Sequence, residues 1–127
     1  MARTRSLRPT FFHDYNLALL PMETRVFFAG LWCYADRRGR LEEKPGYLKR
    51  QIFPFENIDI EKNLQLLAYP PAPATPLIQR YEVSGNRFIQ VLFWDQYPHH
   101  TEKESRIPPP LIAKLEDGIS KINPKSD

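Results

Sequence analysis

Four sets of side chains have the types and spacing to act on an anion. Lys62, Asn63 and Gln65 fall within one turn of a helical pattern. The amides of Asn and Gln can pair with an adenine edge, and Lys can reach guanine or a phosphate. Arg37, Arg38, Arg40, Lys44, Lys49 and Arg50 surround the start of a second helical pattern. Phosphate contacts draw on positive charge of this kind from neighbouring elements. Arg80, Asn86 and Arg87 flank a hairpin signal, and Arg3, Arg5 and Arg8 form an extended basic arm that could follow a groove. Each set also has a plainer reading. The helix face could be solvated surface, with Asp59 and Glu61 repelling phosphate. Glu42 and Glu43 could pair with the nearby cations, Glu82 could pair with Arg87 across strands, and the arm could be a loose terminus.

Other chemistries find little support. His99-His100, His13 and Cys33 show neither Cys-x-x-Cys nor His-x-x-x-His spacing, so no metal site is expected. A lone cysteine cannot form an internal bridge, which fits a reducing compartment. No Gly-rich phosphate loop, Gly-x-Ser-x-Gly or zinc signature is present, and five glycines make a nucleotide cradle hard to build. No enzyme, cofactor or small-molecule substrate is therefore expected. Trp32 and Trp94 fall on apolar segments and read as core.

The elements that must position these residues are separated by proline. The chain has 127 residues, enough for one domain, and 13 are proline, clustered at 70–76 and 98–110. Residues 1–50 carry a net charge of +5, 51–100 of −2 and 101–127 of zero, so an anion-binding face must draw on the first fifty. The longest apolar run, Val26 to Ala35, is too short to cross a bilayer, and no apolar stretch of a signal peptide follows the N-terminal arginines.

Leu17 and Leu20 allow a short leader helix that Pro21 ends. Met22 to Asp36 is apolar nearly all round, which predicts a buried central helix stopped at Gly39. Arg40-Leu41-Glu42 predicts a stub of strand, and about Pro45 to Phe53 a second helix. Asp59 caps a third, with Ile60, Leu64, Leu67 and Ala68 on its core stripe and Glu61, Lys62, Asn63 and Gln65 on the other face. Leu77 to Val83 and Arg87 to Phe93 predict a hairpin. A two-residue Ser84-Gly85 turn would set Glu82 opposite Arg87, Tyr81 opposite Phe88 and Ile78 opposite Val91; a three-residue loop is the alternative. Leu111, Leu115, Ile119 and Ile122 predict a further short helix in the tail.

Helix, strand, helix, helix, strand, strand is the order of a winged helix-turn-helix. The chain resembles the winged-helix N-terminal domains of phage and prophage replication-initiation proteins (replisome organizers), related in role to DnaD-type helicase loaders. The resemblance rests on Phe11-Phe12-His13-Asp14 with Leu20-Pro21, on Phe28-Ala29-Gly30-Leu31-Trp32, and on Ala35 to Glu42. It continues through Phe53-Pro54-Phe55, Asp59-Ile60-Glu61, Tyr81-Glu82-Val83, Arg87 to Val91 and Arg106-Ile107-Pro108, covering about residues 8–110. Where that family has a short Gly-containing turn before the wing, Tyr69 to Pro76 is a proline insert. Where its initiators carry a second domain, a short tail follows.

The expected fold is α+β: a winged helix-turn-helix with a three-helix core, a β-hairpin wing, a short leader helix and a Pro-rich tail. The expected division is a basic arm at 1–10, the winged-helix domain at 11–97 and the tail at 98–127. The resemblance implies a non-enzymatic, cytoplasmic protein of a bacterial host cell that binds double-stranded DNA through Asp59–Ala68 and the wing in replication initiation. A protein-interaction or oligomerisation module working through the tail, as a homodimer or with a replication protein, is one alternative. A transcriptional regulator is the other. No membrane partner is expected.

Overall fold

A computed structural model describes residues 2–98 and 101–110; the tail positions Leu111 to Ile122 and the pair His99-His100 lie outside the described residues. The chain is α+β, with four α-helices and one small antiparallel sheet. A 3-10 turn, Pro9–His13, precedes α1, Tyr15–Ala18, where the Leu17 amide donates to the Asp14 carboxylate at 3.1 Å as an N-cap.

Helix α2, Met22–Tyr34, starts directly after Pro21 and carries Glu23 in its first turn, where the helix dipole favours negative charge. It buries Thr24, Phe27, Phe28 and Leu31, the i, i+3, i+4, i+7 stripe. Burial on all sides, expected from its composition, is not found: Met22 is 76% exposed and Val26 55%. The stop is also earlier than expected. Ala35 is already extended, and Gly39 (φ +78°) serves the turn into β1. A Cβ at Gly39 would lie 2.8 Å from the Trp94 ring, so the position needs glycine for space as well as conformation.

Strand β1 is Arg40–Glu42, α3 is Pro45–Ile52 and α4 is Ile60–Ala68. Pro54 forces the residue before it out of the α region and ends α3 at Phe53. Asp59 caps α4 by accepting from the Lys62 amide at 3.0 Å. Between α4 and the hairpin, the Tyr69–Pro76 insert contains a cis Ala72-Pro73 bond and is tied to α1 by the Thr75 amide donating to the Asn16 side chain.

Strands β2, Ile78–Val83, and β3, Asn86–Val91, form the hairpin, and the sheet order is β1-β3-β2. Ser84 and Gly85 both take positive φ, a two-residue turn whose twist suits a hairpin. The register pairs Ile78 with Val91, Tyr81 with Phe88 and Glu82 with Arg87, as expected of that turn. Alternation sends Leu41, Ile78, Ile89 and Val91 into the helices, where they join Phe27, Leu31, Leu48, Leu64 and Leu67 in one core. Trp32 and Trp94 pack against that core.

The opposite sheet face carries Tyr81 beside Phe88, ring centroids 5.6 Å apart. Residues 104–108 cross it: Tyr81 donates to the Pro108 carbonyl at 2.7 Å, and Arg40 donates to the Ile107 carbonyl at 3.1 Å. No helix of the described residues is long and apolar enough to cross a membrane.

Candidate functional site

The four sets of cations divide sharply by what they touch. On α4, Lys62 and Gln65 are exposed. Asn63 is not. It is 1% exposed, accepts from the Thr24 hydroxyl at 2.6 Å, and donates to Glu23 at 2.8 Å and to the Asp59 carbonyl at 2.9 Å. Base reading by Asn63 is therefore corrected: its amide is committed to holding α4 against α2.

Arg80 is corrected in the same way. Its guanidinium is 10% exposed and lies between two carboxylates. It donates to both Glu43 oxygens at 2.7 and 2.8 Å and to both Glu61 oxygens at 2.9 Å. This double fork ties the β1–α3 junction and α4 to β2. Hydrogen bonds to Glu43 and Glu61 hold the Arg80 proton well above the usual arginine range, and the Arg80 hydrogen bond holds Glu61 below the usual carboxylate range. Arg87 stands opposite Glu82 in register, yet its ion pair is with Glu43 at 2.7 Å, and its side chain stays 59% exposed. Asn86, beside the turn, is exposed.

On α3, Arg50 is exposed and Lys49 half-buried. Lys49, Arg50 and Lys62 take part in no ion pair among the described residues. Lys44 pairs with Glu42 at 3.0 Å, both side chains well exposed, so this contact yields readily to another anion. Lys44 at the N-cap of α3 and Arg50 on it are thus exposed, with Lys49 partly so.

The turn arginines are occupied instead. Arg38 donates to both oxygens of Glu104 at 3.0 and 2.9 Å, and Arg37 stands 3.9 Å from the same carboxylate. The Arg38 hydrogen bond and the Ser105 amide hold the Glu104 carboxyl down at about 2. Arg40 donates to Gln90 as well as to Ile107.

The N-terminal arm is extended, but it is not free. The Arg3 amide donates to the Cys33 carbonyl at 2.8 Å. The Arg5 side chain is 4% exposed, forks onto Glu102 at 3.2 and 2.8 Å, and caps the end of α2 through the Trp32 and Ala35 carbonyls. Its guanidinium also lies 5.1 Å from the Trp94 ring centre. Arg5 is thus a buried clasp between the N-terminal arm and the segment at Glu102, and Arg3 shares the same carboxylate at 3.4 Å. A groove-following role for Arg5 is corrected by this burial.

What remains on contiguous elements is exposed Lys44 at the N-cap of α3, half-buried Lys49 and exposed Arg50 on α3, Lys62 and Gln65 on α4, and Asn86 and Arg87 on the hairpin. Among the described residues, no group of three or more His, Cys, Asp or Glu could hold a metal ion. The sequence reading named Glu43 as a partner for the cations around it, but not for Arg80 and Arg87, the two it holds. Its place, two residues past buried Leu41 and directly after β1, where the alternation still points it inward, was the available signal. No family model, curated protein or solved structure matches the chain.

Proposed function

We propose that this chain is a winged-helix DNA-binding protein in which α4 enters the major groove, α3 contacts the flanking phosphates and the β2–β3 turn lies alongside the backbone. The carrying observation is that Lys49, Arg50 and Lys62, on two consecutive helices, remain outside the ion pairs that occupy Arg5, Arg37, Arg38 and Arg80. The β1-β3-β2 order with α4 immediately before the hairpin is compatible with this docking. The acidic start of α4 also opposes it less than its sequence implies, because Arg80 neutralises Glu61.

By its resemblance the chain acts in replication initiation of phage or prophage type, in the bacterial cytoplasm. The same contacts would serve a transcriptional regulator, and the identity of the bound site separates the two roles. Fluorescence anisotropy of a random-sequence duplex, titrated at several salt concentrations, tests the reading. Lys44, Lys49, Arg50 and Lys62 neutralising one phosphate each contribute roughly −4 to the log–log slope. Absence of binding at low salt refutes it, since the electrostatic part of affinity needs no particular sequence.

A second reading, a protein-interaction module, is favoured by the exposed apolar side chains Tyr15, Leu19, Met22 and Val26 on α1 and the start of α2. A molar mass by light scattering that doubles with concentration, and reverts on Val26→Glu, supports that reading.

A further inference from the structure

We infer that Arg37 and Arg38 form a second phosphate-binding point on the same DNA, held closed in the free protein by the Glu104 side chain, whose carboxylate stands where a backbone phosphate would bind. The inference rests on the DNA-binding reading and adds regulation to it.

Three observations carry it. Both guanidinium groups converge on one carboxylate: Arg38 is bidentate to Glu104, and Arg37 is 3.9 Å away. Planar fork recognition of this kind fits a phosphate as well as a carboxylate. The contact is also exposed, with the Arg38 side chain at 57% and Glu104 at 58%, so solvent screens it and a polyanion can displace it.

The third observation is the contrast with its neighbours. The segment is anchored on one side by Glu102, whose side chain is 2% exposed against Arg5, and on the other by the Tyr81 hydroxyl on Pro108. Release of Arg38 therefore needs only rotation of the Glu104 side chain off the Ser105 amide, while Arg37, 3.9 Å from that carboxylate, keeps its own hydrogen bond to the Glu102 carbonyl at 3.4 Å. The strap itself stays on the sheet, and the buried ion pair is undisturbed.

The test uses the full chain in the duplex anisotropy assay. Glu104→Gln, Arg37→Gln/Arg38→Gln and the triple variant are compared with wild type after circular dichroism shows each folded. Removing the carboxylate is expected to tighten binding roughly three- to fivefold at low salt, the scale of an exposed ion pair. Removing both arginines is expected to flatten the salt slope by about 1.8, two phosphates' worth. In the arginine-free background Glu104→Gln is expected to bring no gain.

A gain of equal size in both backgrounds reduces Glu104 to general repulsion and overturns the inference. An unchanged wild-type slope on removing the arginines overturns it too. If wild type binds duplex while these differences are absent, only this inference fails. If neither wild type nor Glu104→Gln binds duplex at low salt, the inference and the DNA-binding reading fail together.

Discussion

Replacing Arg80 by methionine should unfold this protein far more readily than any other single loss of charge on the hairpin. The substitution keeps the length of the side chain and removes four hydrogen bonds of 2.7–2.9 Å to Glu43 and Glu61. The Glu43 side chain, 1% exposed, then keeps only the Arg87 contact at 2.7 Å. Leaving a carboxylate buried after removal of its partner costs about 3–5 kcal/mol, and the remaining Arg87 sets the expectation near the lower end. Against a total of about 5–15 kcal/mol for a domain, that loss is large. Urea unfolding followed by circular dichroism measures it. With a slope of about 1–3 kcal/mol per molar, the midpoint should fall by about 1–3 M at unchanged slope. Adding Glu43→Gln removes the buried charge and should return part of the loss, a coupling of about 1–3 kcal/mol. Glu61→Gln alone should cost less than about 1 kcal/mol, because that carboxylate is 62% exposed. An Arg80→Met loss below about 1 kcal/mol, or equal losses from Glu43→Gln and Glu61→Gln, would refute the assignment of Arg80 to the framework.

Asn63→Ala leaves the Thr24 hydroxyl and Glu23 without their partner; a loss of about 1–3 kcal/mol in the same unfolding assay is expected. Gly39→Ala meets the Trp94 ring at 2.8 Å and a φ of +78°, which should cost about 2–4 kcal/mol by thermal or urea unfolding. Burial pushes the Tyr81 hydroxyl up to about 12. The unfolded chain ionises this group near pH 10 and the folded chain later, so stability contributed by neutral Tyr81 should fall as pH rises from about 10 to 12. Absorbance titration of wild type against Tyr81→Phe should show one phenol missing from the late part of the curve.

Much of the frame was legible because its signals were local. Ser84-Gly85 and the alternating residues around it marked the hairpin and offered the observed register as one of two, and Asp59 with Ile60, Leu64 and Leu67 marked α4. Two site assignments missed for reasons the same patterns contain. Asn63 stands three residues past Ile60, on the core stripe, so its polarity concealed an inward position. Arg80 stands two residues past buried Ile78 on an alternating strand and therefore points the same way. The Arg5–Glu102 clasp and the Glu104 contact were not legible, since they join positions 97 and 66 residues apart with no periodic signal between them.

The central claim is that DNA meets the α3–α4 face and the hairpin turn, and amide chemical shifts of the labelled protein titrated with a short duplex test it most directly. The expected result is perturbation concentrated at Lys49, Arg50, Lys62, Gln65, Asn86 and Arg87. Perturbation confined to Tyr15, Leu19, Met22 and Val26, or absent at low salt, would contradict it.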